Sequence, residues 1–480
     1  MKNKKMTYDV NEWPPVGKSI ILAFQHLFAM FGATILVPIL VNSAAKAEVI
    51  TIPTALVASG IGTLIYILCT KGKSPVYLGS SFAFITPVAA GYLKGGISGA
   101  MTGIMAVGLI YIIVAIIIRF VGKDWINKLL PPVVIGPMIM IIGLGLAPSA
   151  INQIGLSSET IEWKVVIVAL ISFLTTAITM TKAKGFFKII PFLIGIIAGY
   201  ISACILGMID FAPVVDASWF QLPKFVIPFK DYNLNFAAIL TIAPVALVTL
   251  CEHIGDHTSL SNIIGKDLIK DPGLDKTLLG DGIATFVAGF IGGPANTTYG
   301  ENTSVVGMTK VASTKVIGLA AIFAIVISFL GKLTALISTI PNAVLGGVSL
   351  LLYGFIAVNG LKVLIKNQTN FDDSKNVIVA SSMLVLGLGG AAISIISGDL
   401  SITISGMSLA SVVGIILNLL LPSDVEEMEV DELLSKKKYN VYRLKEEIKK
   451  ELKAEILEEL KSERKNNGKR NWIKTSFNRA

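Results

Sequence analysis

Three acidic residues stand in the apolar part of the chain, where ionisable groups are rare. Glu252 and Asp256 lie four positions apart in APVALVTLCEHIGDHTSL, and Glu301 lies in NTTYGENTSVVGMTK. On a helix, positions i and i+4 share a face, so Glu252 and Asp256 would point the same way. Two carboxylates one turn apart in an apolar setting cannot both be charged cheaply, and we expect at least one to hold a proton near neutral pH. Such a pair could bind and release a proton.

Other polar residues in the apolar segments have simpler interpretations. Asp256 and its neighbour His257 could instead be solvated near a helix end. Asp281 is predicted to cap the start of a helix. We expect His26 and His253 to pack between helices rather than to bind a ligand.

Two short stretches interrupt otherwise apolar segments: Gly79-Ser80-Ser81-Phe82 and Tyr299-Gly300-Glu301. Unwound backbone inside a membrane is tolerated only where it lines a cavity or is buried in protein. The free N–H groups and positive ends of the half-helices that follow would then face this cavity. A ligand held by N–H donors and carboxylates must offer both carbonyl oxygens and N–H groups, as nucleobases do, and an aromatic ring could cover its flat face. Another small amide-like solute, or a cation held by carbonyls and carboxylates, fits these residues as well.

The composition indicates where these residues must lie. Of 480 residues, 53% are hydrophobic and 15% charged, with a mean hydropathy of +0.72, whereas soluble domains carry roughly 25% charge. These values exclude an ordinary soluble protein and indicate a membrane protein whose apolar runs cross as helices. The net charge of +9 then reflects the excess of Lys and Arg in the loops on the cytoplasmic side of a membrane protein, and no nucleic-acid partner is expected. Cys69, Cys204 and Cys251 are too far apart in sequence to suggest a disulfide framework or a metal site.

The apolar segments number about fourteen. They fall at 18–42, 50–70, 76–93, 97–118, 131–147, 164–181, 188–208, 236–257, 277–292, 297–310, 315–338, 340–360, 376–394 and 402–421. If all of them cross and the N-terminus is cytoplasmic, few basic residues face outward: Lys46, Lys94, Lys164, Lys224, Lys230 and Lys332. The positive-inside rule therefore favours crossing by the interrupted segments too, and predicts a multi-pass protein of the cell membrane with both termini cytoplasmic.

Short motifs recur in the same order in both halves. GIGT (60–63) returns as GIAT (282–285), PPVVIG (131–136) returns as PNAVLG (341–346), and the interruptions occupy the third and tenth segments. Each pair is seven crossings apart. Because seven is odd, the halves would enter the membrane from opposite sides. Inverted repeats with paired broken helices are typical of secondary transporters, whose site lies near the midplane.

Several longer motifs add a resemblance to a known family. QHLFAMFGAT (25–34), YLGSSFAF (77–84), EHIGD (252–256), NTTYGEN (296–302) and GGVSLLLYG (346–354) resemble the nucleobase-cation symporter family, also called nucleobase-ascorbate transporters, and within it the members that carry uracil. The resemblance covers about residues 15–421. It implies an all-α integral membrane protein with about 14 transmembrane segments in a 7+7 inverted repeat, and short antiparallel strands in the broken third and tenth segments.

The resemblance also implies a division of the chain into domains. A core domain would comprise 18–120 (segments 1–4) and 236–338 (segments 8–11), and a gate domain 121–235 (segments 5–7) and 339–421 (segments 12–14). Residues 1–17 would form a cytoplasmic N-terminus. The charged tail, 422–480, is expected to be cytoplasmic and partly helical.

The resemblance assigns roles to individual residues. Glu252 and Glu301 match the carboxylates that hydrogen-bond the base, and the backbone amides of Phe82 and Gly300 match the contacts to its carbonyls. Ala33 and Tyr299 match residues that line the pocket. Ser81, in the interrupted third segment, completes the predicted binding set. The predicted proton-coupling residues are Glu252, Asp256 and Glu301, with Asp256 standing where a uracil-carrying member has histidine.

The implied function is that of a proton-coupled uracil importer working by alternating access. Uracil and membrane lipid are the expected partners, a homodimer is the implied assembly, and no cofactor is expected beyond the proton as coupling ion. A carrier of purines, xanthine or ascorbate is the alternative within transporters. An intramembrane enzyme would need a metal cluster or a nucleophile–base pair, yet the sequence has no HExxH and only three histidines. An anion channel or exchanger would more naturally have a basic or neutral residue in place of Glu301.

Overall fold

The structure, a computed structural model, describes residues 6–157, 160–226, 234–397, 400–422 and 441–462. It is mostly helical, as expected. The chain divides into two compact units. The first comprises Met1–Asn370 and Asn376–Leu420 and contains every predicted membrane segment. The second contains a helix over residues 441–462, so the described part of the predicted tail is helical; residues 423–440 and 463–480 lie outside the described residues.

In the first half, a short strand precedes the third long helix. The elements are α1 (Val16–Ala45), α2 (Ile52–Cys69), β1 (Leu78–Ser80), α3 (Ile85–Val121), α4 (Asp124–Leu129), α5 (Pro132–Gly145), α6 (Ala147–Gln153), α7 (Trp163–Lys182), α8 (Pro191–Ile205) and α9 (Ala212–Asp216). Helix α3 contains the second part of the third predicted segment and all of the fourth. Its helical geometry breaks at Gly95 and Gly96, in the predicted gap between 76–93 and 97–118.

In the second half, another short strand precedes a ten-residue helix. The elements are α10 (Phe236–Ile242), α11 (Val245–Ile264), α12 (Leu274–Phe290), β2 (Asn296–Thr298), α13 (Gly300–Thr309), α14 (Thr314–Ser328), α15 (Gly331–Ser338), α16 (Asn342–Lys366), α17 (Ser374–Leu388), β3 (Ala392–Ser397), β4 (Leu400–Ser405), α18 (Gly406–Leu420) and α19 (441–462). Pro244 separates α10 from α11, because proline lacks the N–H that would continue the helix.

Seven helical stretches in the described residues are long and apolar enough to cross a membrane. They are Val16–Ala45, Ile52–Cys69, Phe82–Val121, Pro132–Gln153, Trp163–Lys182, Phe236–Ile264 and Asn342–Lys366. Shorter apolar helices lie at Pro191–Ile205, Thr314–Ser328, Ser374–Leu388 and Gly406–Leu420. The predicted total of fourteen crossings and the division into core and gate domains stay predictions.

A hairpin between α17 and α18 departs from the all-α prediction. The sequence predicts a helical crossing to residue 394, but α17 ends at Leu388, and β3 and β4 then pair as antiparallel strands. Gly390 adopts a left-handed backbone with φ of 73°, which ends the helix. The segment LSITIS alternates large apolar with small polar residues, and AISIIS does so up to Ile395; both are rich in β-branched isoleucine, which favours strands. The predicted end of the thirteenth segment is therefore wrong.

The helices around the interrupted segments pack closely. Helix α12 packs against α2 and α3, α14 packs against α1 and α2, and α16 packs against α5, α7 and α8. At the α3–α12 crossing, a Cβ atom added to Gly108 would lie 2.6 Å from the carbonyl oxygen of Gly282. Small residues let two membrane helices approach this closely. They bring the helix that follows β1 against the helix that precedes β2.

The N-terminal segment is fastened to the end of α13. The Thr7 N–H donates to the Lys310 carbonyl (2.7 Å), and the N–H of Ala312 donates to the Tyr8 carbonyl (2.9 Å). Lys266 Nζ lies 2.7 Å from both carboxylate oxygens of Asp9. This hydrogen bond from Lys266 stabilises the charged carboxylate and holds the pKa of Asp9 below its usual range.

Candidate functional site

An antiparallel ribbon joins the two interrupted segments. Strands β1 and β2 pair in a register that sets Leu78 opposite Thr298 and Ser80 opposite Asn296. The pairing continues beyond the strands, since the Ser81 N–H donates to the Ala295 carbonyl (2.9 Å). These are the short strands that the resemblance implied. A half-helix follows each strand: α13 begins at Gly300, and a short 3₁₀ turn at Phe82 leads into α3.

The repeated motif supports both edges of this ribbon. Thr63, the last residue of GIGT, donates its hydroxyl to the Leu78 carbonyl (3.2 Å) and accepts from the Leu78 N–H (2.9 Å). Thr285, the last residue of GIAT, donates to the Asn296 carbonyl (3.4 Å). A buried strand edge needs such partners because no water is present to bond its backbone groups. Each threonine thus stabilises the strand of its own half.

Tyr299 closes one side of the ribbon. Its hydroxyl donates to the Ser80 carbonyl (3.0 Å) and accepts from the Thr34 hydroxyl of α1 (3.2 Å). The ring lies across Gly79, where an added Cβ atom would fall 2.3 Å from Cζ of Tyr299. The glycine is therefore required by the ring that covers it. This contact fixes the position of the residue immediately before Gly300.

The two carboxylates of α11 point at β2. Thr297 donates its hydroxyl to Glu252 Oε2 (3.1 Å), and Thr298 donates to Asp256 Oδ2 (2.6 Å). Successive residues of a strand point to opposite sides, yet both threonines reach α11, because β2 is short and ends where α13 begins. The shared face predicted from the i, i+4 spacing is present. The threonines were not predicted, although the polar run NTT was the signal for them.

Glu301 lies in the first turn of α13, beside the ribbon. A negative charge is favoured there because the N–H groups of the first turn have no partner within the helix. Its neighbour Asn302 points the other way and fixes α13 to α1: the Asn302 amide donates to the His26 carbonyl (3.0 Å) and lies 3.2 Å from His26 Nδ1. His26 is buried between the helices, where the sequence placed it.

One cavity of about 1000 Å³ brings most of the predicted site residues together. It is lined by Phe82, Glu252, Asp256, Tyr299, Gly300 and Glu301. Ala33 and Ser81 do not line it: both are buried, Ala33 in α1 and Ser81 behind the ribbon. Asp256 is partly exposed to this cavity rather than solvated at a helix end, whereas His257 is fully buried.

A buried polar cluster lies behind the carboxylates. His253 Nδ1 lies 2.8 Å from Asp281 Oδ2, and the His253 ring stacks on the His257 ring with centroids 4.1 Å apart. His257 Nδ1 donates to the His253 carbonyl (2.7 Å), and its Nε2 lies 2.5 Å from the Tyr66 hydroxyl. The predicted cap role of Asp281 is wrong, because α12 begins at Leu274 and Asp281 is only 1% exposed. The cluster joins α2, α11 and α12 next to Glu252.

The donor set offers no metal site in the described ranges. No group of three or more His, Cys, Asp or Glu side chains there could hold a metal ion, and Cys69, Cys204 and Cys251 are free thiols. What the cavity offers is a set of carboxylate acceptors on α11 and α13 beside the unpaired N–H groups of two half-helix starts. This arrangement suits a small, flat, uncharged molecule that carries both N–H groups and carbonyl oxygens.

The sequence is similar to a family of known membrane proteins. The chain matches the model of the permease family over residues 17–396. It is 46% identical to the uracil permease of Bacillus subtilis (strain 168) over 434 residues, covering 89% of this chain and 98% of that one. It is 42% identical to the uracil permease of Escherichia coli (strain K12), covering 86% of this chain and 93% of that one.

Solved structures show a similar fold at low identity. The transmembrane domain of the cyanobacterium bicarbonate transporter BicA matches with a TM-score of 0.55 and 15% identity, covering 84% of this chain and 97% of that one. At this identity the likeness concerns the fold alone. The fold is that of a multi-pass membrane protein, and Glu252 and Glu301 face one cavity. Because the family model and the relatives also match most of the sequence, we conclude that the chain is a member of the permease family.

Proposed function

We propose that this protein imports uracil across the cell membrane together with protons, by alternating access. The observation that carries the proposal is the single cavity in which Glu252, Glu301, Phe82 and Gly300 meet. The high identity to proteins named uracil permeases supports uracil as the substrate. Both termini are proposed to be cytoplasmic, with lipid around the helices and a homodimer as the assembly.

The cavity suggests how a base would be held. Glu252 and Glu301 accept hydrogen bonds from the ring N–H groups, and the amides of Phe82 and Gly300 donate to the ring carbonyls. Tyr299, fixed by Thr34 and Ser80, supplies the wall beside Gly300. Because the contacts come from the starts of both half-helices and from α11, a base fits only when all three elements are in place.

Proton coupling is assigned to the acid pair on α11 and to Glu301. Glu252 and Asp256 lie one turn apart, and each already accepts a threonine hydroxyl. Two like charges at this separation repel in a low-dielectric cavity, so one proton shared by the pair stabilises it. Binding of a base to Glu252 changes the surroundings of Asp256 through this pair. Asp256 is therefore the proposed carrier of the coupled proton.

The proposed architecture has 14 transmembrane segments in a 7+7 inverted repeat. The seven long apolar helices and the four shorter ones support it, and so do the matching bonds from Thr63 and Thr285 to the two strands. The core domain, 18–120 with 236–338, would carry the ribbon. The gate domain, 121–235 with 339–421, would face it across the cavity.

A carrier of purines or xanthine with the same fold is the second candidate. Uracil is favoured over these bases by the identity to proteins named uracil permeases and by the resemblance around Tyr299. An anion channel or exchanger is disfavoured, although a bicarbonate transporter has a similar fold, because Glu252 and Glu301 would repel an anion bound at the ribbon.

The test uses the full-length protein in liposomes. Labelled uracil should accumulate under an inward proton gradient, and a protonophore should abolish accumulation; accumulation that ignores the protonophore would exclude proton coupling. Glu301→Gln should weaken uracil binding measured by calorimetry by about ten- to a hundredfold, because a hydrogen bond to a charged group contributes about 1.5–3 kcal/mol. The control is Glu48→Gln, an exposed acid paired with Lys224 (3.1 Å). Wild-type affinity in Glu301→Gln would locate the site elsewhere.

A further inference from the structure

Helix α19 lies outside the part of the chain that transport explains. The family model ends at residue 396, well before this helix begins. Every residue of α19 is exposed, and the helix belongs to the second compact unit, whereas the cavity lies in the first. The transport site therefore gives no reason for the sequence of α19.

Apolar side chains form a single row along α19. Leu444, Ile448, Leu452, Ile456 and Leu460 are spaced by four residues, so each lies next to the previous one on the helix surface. They are about half exposed, from 49% for Ile456 to 60% for Leu444. An amphipathic helix is stabilised mainly by the packing of its apolar face. The row therefore indicates that α19 has a partner.

Two charged rows run beside the apolar row at the same four-residue spacing. On one side, after Arg443, the acidic row comprises Glu447, Glu451, Glu455 and Glu459. On the other side the basic row comprises Lys445, Lys449, Lys453 and Lys461, with Leu457 between the last two. At about 3.6 residues per turn, each charged row lies roughly 90° around the helix from the apolar row. The apolar row is thus flanked by opposite charges on its two sides.

Most of these charges are available to a partner. The helix forms two ion pairs of its own, Arg443–Glu447 (3.5 Å) and Lys449–Glu446 (3.9 Å), both between exposed side chains. Exposed pairs of this kind contribute little to stability. Elsewhere in the two rows, no ion pair is present among the residues that the structure describes.

The order of the rows determines how two copies of α19 can pack. If the apolar rows meet and both N-termini lie at the same end, the acidic row of each helix lies beside the basic row of the other. In an antiparallel pair, the two acidic rows would meet each other, and so would the two basic rows. Flanking charges set the partner and the orientation of paired helices, because opposite charges attract and like charges repel. The rows therefore fit a parallel pair of identical helices.

A lipid surface fits the same helix less well. Helices that lie on a membrane are rich in Lys and Arg on their polar face, whereas α19 has six basic and six acidic residues. Its acidic row borders the apolar row, so it would lie against anionic headgroups if the apolar row entered the lipid. A second copy of the chain avoids this repulsion, because each acidic row then meets a basic row.

We propose that α19 pairs in parallel with α19 of a second copy of the chain. In this pair Lys449 and Lys453 of each copy face Glu451 and Glu455 of the other. Rows spaced by four residues interdigitate when two helices cross at about −50°, so the helices cross near Leu452, in the middle of the apolar row. The inference deepens the homodimer of the proposed function and does not depend on the substrate.

The first experiment measures the proximity of the two helices in the full-length protein in membranes. Leu452→Cys should be joined to its counterpart in the second copy by a short bis-maleimide cross-linker. The matched control is Ala454→Cys, on the row opposite the apolar row. It should cross-link at least about tenfold less, because two thiols can be bridged only where their Cβ atoms approach. The wild-type chain, with Cys69, Cys204 and Cys251, gives the background.

Charge reversal then tests the orientation of the pair. Glu451→Lys/Glu455→Lys or Lys449→Glu/Lys453→Glu, each added to Leu452→Cys, should lower cross-linking at least about tenfold, because repulsion replaces attraction on both sides. The variant that carries all four reversals should recover the original cross-linking, because acidic and basic rows again meet. An antiparallel pair would show neither the loss nor the recovery, and this result would overturn the inference.

The remaining outcomes are equally decisive. Equal cross-linking at positions 452 and 454, or none above the background, overturns the pairing. If the thiol at position 452 is not cross-linked but is protected from a water-soluble maleimide in phosphatidylglycerol liposomes, the apolar row lies on lipid and the pairing is excluded. Uracil uptake should be unchanged in the charge variants. Absence of pairing with normal uptake therefore refutes this inference alone, whereas absence of uptake by the wild-type protein refutes the proposed function.

Discussion

Replacing Gly79 by alanine tests whether the ribbon positions the binding site. The added Cβ atom would lie 2.3, 2.5 and 2.8 Å from three atoms of the Tyr299 ring, whereas ordinary carbon contacts are about 3.5–4.0 Å. The ring must therefore move by more than an ångström. After such a movement the Tyr299 hydroxyl cannot keep both of its hydrogen bonds, the one it donates to the Ser80 carbonyl (3.0 Å) and the one it accepts from the Thr34 hydroxyl (3.2 Å).

The expected cost combines two effects. Overpacking a well-packed interior destabilises by about 1–3 kcal/mol, and each lost hydrogen bond adds about 0.5–1.5 kcal/mol. We expect Gly79→Ala to lower the free energy of unfolding by about 2–4 kcal/mol on these grounds. Because Tyr299 precedes Gly300 and Glu301 directly, uracil affinity should fall by at least about tenfold, which corresponds to 1.4 kcal/mol.

Thermal unfolding in detergent and calorimetric uracil binding measure the two effects. The matched control is Gly307→Ala on the exposed side of α13, where an added Cβ atom meets nothing closer than 3.6 Å and alanine favours the helix. In a Tyr299→Ala background, Gly79→Ala should cost much less stability than it does in the wild type, because the clashing ring is already gone. Wild-type stability and affinity in Gly79→Ala, or an equal cost of Gly79→Ala in the two backgrounds, would refute this account of the ribbon.

Three further predictions concern charged groups. Asp256→Asn should shift the pH dependence of uracil uptake more than it changes uracil affinity. Asparagine keeps an acceptor for the Thr298 hydroxyl (2.6 Å) but cannot carry the proton. An unchanged pH dependence of uptake would mean that Asp256 has a structural role only. Asp281→Ala should lower the free energy of unfolding by about 1–3 kcal/mol, because buried His253 loses its partner, and thermal melts should show no such loss for exposed Asp216→Ala. Lys266→Gln should cost at most about 1 kcal/mol, because Asp9 and Lys266 are half-exposed. The lowered pKa of Asp9 makes this contribution present above about pH 4 and lost as pH falls below it, so the difference between melts of variant and wild type should shrink as pH falls below about 4.

The cavity lining was the part of the structure that the sequence predicted best; that it binds the substrate stays a prediction. The acids on α11 follow from the helical period alone, and the two interruptions follow from glycine and polar residues in segments that must otherwise be apolar. The antiparallel strands came from the resemblance. Ala33 was assigned to the pocket from its position in a motif. A motif position does not fix the direction of a side chain on α1, and Ala33 packs into the hydrophobic interior.

Contacts between distant residues were not predictable. His253 and Asp281 are 28 positions apart, and only the tertiary fold, in which α11 and α12 both pack against α3, brings them together. Asp281 follows a glycine and therefore looked like a helix start, yet α12 begins at Leu274 because the chain turns there at Gly273 with φ of 107°. The β3–β4 hairpin was missed because its alternating isoleucines are as apolar as a helical crossing.

The ribbon has a mechanical consequence for transport. Its backbone hydrogen bonds connect residues more than two hundred positions apart, and side chains of α2 and α12 reinforce it from both edges. Neither interrupted segment can therefore slide alone without breaking pairs that have no water to replace them. Any displacement of one half-helix start must therefore carry the other one with it.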